Sequence, residues 1–313
     1  MPGRAVLGRP ALRSALLFGA LMAPVLSPAR LPGQAAPLSI APLRGHLYLV
    51  TGPGGNSLAL TGPDGVMLID QQFPSPTPTL TRLLGSVTRE PLRYVLRAGW
   101  AEPPRDASES WSHDGALVVT HEDVRDRQTR VRPAAAGPPG LAGPTGAGEG
   151  GGLGPDIAFS EVIAFAIDGE DVHAVHFGGA YAKGDALVHL HGLNTIYAGA
   201  MFTTDGYPAI DVDEGGSIDG LVTAAVRLIA ATGRRTVVVP GRGPLSDRSG
   251  LAAYHAMLVD VRERVRKGIA AGRSLTQVLA SRPTAAFDRR WGRGAVSTRQ
   301  FVEMVYRSLA AAS

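Results

Sequence analysis

The chain has 313 residues, 44% hydrophobic and 19% charged, a globular composition long enough to bury a sizeable core. It contains no cysteine, which excludes disulfides, thiolate metal sites, iron–sulfur clusters and cysteine nucleophiles together. The formal charge of +4 is no sign of nucleic-acid binding: Arg4, Arg9, Arg13 and Arg30, in an acid-free stretch, account for all of it, and no concentrated basic face follows.

Residues 1–35 read as a secretory signal peptide. Three arginines precede an apolar run from Ala15 to Leu26, and small residues then offer cleavage after Ala29 or Ala35. The run is short and broken by Pro24, so it suits an export signal better than a membrane span. The expected mature protein is exported, to the periplasm or beyond, and meets a membrane only through an uncleaved leader.

Strand alternation begins at His46–Val50, and a Gly-rich turn over 52–56 follows. Ser57–Leu60 and Val66–Asp70 flank Gly62-Pro63-Asp64-Gly65, which predicts a hairpin because Pro-Asp-Gly fits a tight turn. Leu80, Leu83, Leu84 and Val87 carry helical spacing; Arg93–Leu96 and Ala116–Val119 read as short buried strands. Residues 133–155 are rich in proline, alanine and glycine and predict a flexible loop. A GxGxxG match at 146–151 lies inside it without a flanking strand and helix, so it carries no dinucleotide signal.

The second half predicts strands at 162–167, 172–177, 186–190 and 195–197, a helix after Ser217, and a strand at 236–240. A long helix follows, capped near Ser246 or Asp247, with Leu251, Tyr254, Leu258, Val261, Val265 and Ile269 on one stripe. Two more helices capped by Ser274 and Ser297 close the chain. Two β-rich halves, each ending in helices, imply a layered α/β fold.

These segments resemble the metallo-β-lactamase superfamily. Gly54-Gly55-Asn56, Asp64–Asp70 and Pro91–Val95 resemble its entry strands, and Gly184-Asp185, Tyr207–Asp211, Gly215-Gly216-Ser217 and Val239–Pro244 match later segments in the same order. Pro283-Thr284, Phe287-Asp288 and Trp291-Gly292 look like the C-terminal extension of exported bacterial members. The resemblance implies a four-layer αβ/βα sandwich over 43–250, interrupted by the 133–155 loop, with a C-terminal helical extension over 251–313.

In that family one or two zinc ions are held by a His-x-His-x-Asp-His run and by a later His, a bridging Asp and a final His. The metal lowers the pKa of a bound water, so that hydroxide attacks at neutral pH. Here the resemblance puts Gly99, Ala101, Pro103 and Pro104 in the run, and Tyr181, Ala200 and Arg242 at the three later positions. Gly, Ala and Pro side chains donate no lone pair and Arg is permanently cationic. The expectations are therefore that zinc ligands are absent, that there is no cofactor, and that no residue is catalytic.

His121-Glu122-Asp123 reads as a polar helix start rather than a ligand cluster. His189 and His191, two apart on a strand, face one way but lack a third ligand nearby. Asp70 and Asp185 resemble acids that support the family's site, and Arg242 is expected to pair with one of them. Tyr181, Lys183 and Arg242, with those two acids, form the candidate ligand-binding set for a small anion; a protein partner is the other possibility, and nucleic acid is not expected. The functional expectation is an exported, non-catalytic binding or scaffolding module. The alternative is a hydrolase of an ester, amide or lactone with a relocated or metal-free site, for which Glu102 and Tyr181 are the best acid–base pair.

Overall fold

The computed structural model describes residues 37–70, 77–99, 115–131 and 155–311. The leader, the stretch containing Ala101, Glu102, Pro103 and Pro104, and the 133–154 segment lie outside them. Residues 36–313 make one compact unit.

Seven strands form the first sheet, in sequence order: β1 Ser39–Arg44, β2 Leu47–Gly52, β3 Gly55–Gly62, β4 Gly65–Ile69, β5 Leu92–Leu96, β6 Leu117–His121 and β7 Ile157–Phe159. The first four pair antiparallel through tight turns, and β4 to β7 run parallel. Five strands form the second sheet, β8 Val162–Ile167, β9 Glu170–His176, β10 Ala186–Leu190, β11 Thr195–Thr203 and β12 Val237–Arg242, in the order β12-β11-β10-β9-β8.

Period-two alternation decides which side chains meet between the sheets. Leu58, Leu60, Met67, Ile69, Leu96 and Val119 of the first sheet pack on Val172, Ala174, Val188, Leu190, Tyr197 and Val239 of the second. The intervening residues face outward. Ala59, Val66, Leu68 and Val95 bury against Leu80 and Leu84 of α1, Thr77–Leu84. On the far side Leu187, Ile196 and Val238 bury against α3 Ile218–Ala231, α4 Arg248–Ala270 and α7 Thr298–Ala310. The result is the expected helix–sheet–sheet–helix sandwich, completed by α2 Glu122–Val131, α5 Leu275–Ala280 and α6 Asp288–Trp291.

The capping residues do what their chemistry predicts. Ser217 accepts from the Gly220 amide and Asp247 from those of Ser249 and Gly250, while Ser274 and Ser297 each form a capping box with a glutamine. No helix among the described residues is long and apolar enough to cross a membrane.

Candidate functional site: a cavity at the sandwich edge

Two tight backbone approaches and one side-chain amide build this edge. A Cβ on Gly55 would lie 2.1 Å from the Gly241 carbonyl oxygen, so the β2–β3 turn reaches the end of β12 only because that position is glycine, at φ +148°. Asn56, next along, donates through its amide to the carbonyls of Pro240 (2.9 Å) and Gly243 (2.8 Å), fixing the backbone on either side of Arg242. A Cβ on Gly216 would meet the Tyr181 carbonyl at 1.9 Å, and that carbonyl accepts from the Asp211 amide at 2.8 Å.

Tyr181, Ala200 and Arg242 thus line one cavity of about 480 Å³. Arg127 of α2 lines it too, paired with Asp211 at 3.2 Å and Glu214 at 3.3 Å. Burial, with Asp211 second, raises the Tyr181 phenol above its ordinary range, so it stays a protonated O–H donor at neutral pH. Lys183 is not in this wall: it is exposed, and its methylenes lie over Gly215.

Arg242 does not pair with Asp70 or Asp185. Its Nε lies 3.5 Å from Asp205 and its Nη1 donates to the Gly54 carbonyl at 3.3 Å. The reason is depth. Asp70 and Asp185 are only 2% and 1% exposed and do not line the cavity, while the Arg242 side chain, which does, is 43% exposed. The cation that raises the charge balance around Asp70 is instead the buried Arg97, whose own pKa is lowered by burial and partly restored by Asp70. Asp70 also accepts from the Tyr197 hydroxyl at 2.9 Å.

Asp185 accepts the amides of Tyr181 (2.6 Å) and Ala182 (3.0 Å) on one oxygen. The other oxygen has no partner among the described residues. Burial pushes its carboxyl up to about 7, against the pull of those amides. A Cβ on Gly99 would lie 2.9 Å from that second oxygen, so a side chain at the first expected ligand position would displace Asp185.

Comparison with solved structures matches this architecture. A metallo-β-lactamase from Pontibacter korlensis superimposes with a TM-score of 0.56 at 19% identity, over 72% of this chain and 100% of its own. The DIM-1 metallo-β-lactamase gives 0.56 at 13% identity over 72% and 98%, and TMB-1 gives 0.55 at 14% over 71% and 96%. No protein-family model matches the chain, and no curated protein matches it. The chain has the metallo-β-lactamase fold.

The expectation that metal ligands are absent is overturned. His121, at the end of β6, Asp123, in the first turn of α2, and His176, at the end of β9, each offer a donor atom within 4.8 Å of the others. His121-Glu122-Asp123 is therefore both a helix start and part of a ligand-capable cluster. Two imidazoles and a carboxylate are the donor types a zinc ion takes, and an ion there would supply a Lewis acid that activates bound water. In the present arrangement the rings stack at 3.9 Å. His121 Nδ1 accepts from the Asp123 amide at 3.1 Å and His176 Nε2 from that of Gly178 at 3.1 Å; both nitrogens would exchange those amides for an ion. The cluster connects to the cavity through His176 on the Asp185 carbonyl at 2.9 Å, and through Asp185 on the Tyr181 amide.

Proposed function

We propose that this is an exported, non-hydrolytic binding module on the metallo-β-lactamase fold, whose cavity takes a small anion such as a carboxylate. The observation that carries the reading is the cavity wall itself. Tyr181, Ala200 and Arg242, which the resemblance puts at three of the family's ligand positions, share one cavity with Arg127, so its wall offers an anion two guanidiniums and a phenol O–H.

Arg242 is suited to an incoming carboxylate. Its contact with Asp205 is single and long, and its Nη2 has no hydrogen-bond partner among the described residues. A ligand carboxylate gains a planar, bidentate partner at the cost of a half-exposed ion pair worth about 0.2–1 kcal/mol. The Tyr181 phenol adds a neutral donor and Arg127 a second cation.

Calorimetric titration with citrate and with inorganic phosphate tests the reading. At least one is expected to bind, with affinity lowered about tenfold or more in Arg242→Ala, while a chromogenic β-lactam is turned over no faster than in buffer. Equal affinity in wild type and variant, or turnover that tracks the protein, overturns it.

A further inference from the structure

The outer face of β9 and β10 carries a second group of histidines, separate from the first. Residues at i and i+2 of a strand share a face, and so do directly opposed residues of neighbouring strands. Register pairs His173 with His189. One step along, the His191 amide donates to the Asp171 carbonyl at 3.1 Å, setting that pair opposite one another as well. Asp171, His173, His189 and His191 therefore occupy the four corners of one patch.

The rings already touch: His189 and His191 have centroids 3.9 Å apart, and His173 and His191 4.6 Å. None of the six ring nitrogens, and neither Asp171 carboxylate oxygen, has a hydrogen-bond or ion-pair partner among the described residues. The patch is open, since Val162 on neighbouring β8 is 54% exposed and Ala164 and Ala166 beside it are exposed.

We infer that His173, His189 and His191, with Asp171 or water in the fourth position, form a surface site for one borderline divalent transition ion such as Zn²⁺. Three neutral imidazoles and an oxygen suit that class and not the oxygen-seeking Ca²⁺ or Mg²⁺. The β9–β10 ladder fixes the Cα positions of Asp171, His173 and His189, and the His191 amide bond to Asp171 holds the turn that follows β10 against it; the ring nitrogens do not converge in the present rotamers, so binding an ion requires rotation about χ1 and χ2. Nothing in the proposed function of the cavity depends on this site.

The test is titration of Zn²⁺ into the untagged full chain after dialysis against a chelator. His189→Ala/His191→Ala is expected to bind one equivalent fewer than wild type, or the same equivalent at least tenfold more weakly, with an unchanged thermal midpoint. His176→Asn, in the other cluster, is expected to retain that equivalent. As a second readout, substoichiometric Cu²⁺ should broaden the imidazole resonances of His173, His189 and His191 first. Unchanged zinc stoichiometry and affinity in the double variant, no zinc bound by wild type at micromolar concentration, or broadening confined to His121 and His176 would each overturn the inference.

Discussion

The rim of the cavity and the buried polar residues that hold its wall are built on opposite principles. At the rim, Arg242 and Asp205 are 43% and 36% exposed and meet at 3.5 Å, so water screens them and either can change partner. Asn56, Asp70, Tyr197 and Asp185 are buried, and nearly every polar atom among them is held: the Tyr197 hydroxyl lies 2.9 Å from both the Asn56 carbonyl and Asp70 and shares its one proton between them. A buried polar group that loses its partner forfeits water as well, whereas an exposed one does not. Shape therefore resides in the buried group, and the capacity to exchange partners in the rim.

Substitutions should separate the two. Gly55→Ala, which drives a Cβ against the Gly241 carbonyl at a positive φ, is expected to cost about 2–4 kcal/mol in denaturant unfolding; a neutral result would mean the two loops are not locked. Tyr197→Phe removes the one O–H shared by two buried acceptors, for an expected loss of about 1–3 kcal/mol by the same measurement. Arg242→Ala, at the rim, should move stability by no more than about 1 kcal/mol. A larger loss there would erase the contrast.

Asp185 gives the comparison a pH axis. Its carboxyl titrates near 7 in the folded chain against an ordinary 3.8, so between those values the native state holds a proton that the unfolded chain has released. Its contribution therefore weakens stability as pH rises from about 4 to 7. Asp185→Asn keeps an acceptor for the two amides and removes the charge, so thermal midpoints at pH 5 and pH 8 should lie closer together in the variant. Parallel profiles would show that another group sets the slope.

Much of the scaffold was legible in the sequence because it is local. Pro63-Asp64-Gly65 specifies its hairpin, and Ser217, Asp247, Ser274 and Ser297 announce helices that they do cap. What escaped has weak local signals. The edge strand Ser39–Arg44 is largely exposed and carries Pro42, β7 has three residues, and α6 has four with no side-chain cap.

Of the residues singled out in the sequence, Lys183, Asp70 and Asp185 do not line the cavity, and the pairings are not local. Tyr181, Ala200 and Arg242 do share a wall, but Arg127 sits in a helix so charged that it reads as a solvated face, and its partner Asp211 is 84 residues away. His121 and His176 stack across 55 positions of sequence, which is why the chain appeared to lack metal donors. His173 completes the patch with His189 and His191 only through the β9–β10 register.

Calorimetric titration of wild type and Arg242→Ala with citrate, alongside their unfolding curves, separates anion binding through Arg242 from the stability of the fold. Binding is expected to weaken about tenfold or more in the variant, with stability within about 1 kcal/mol of wild type; equal binding by both proteins would mean that Arg242 does not hold the anion.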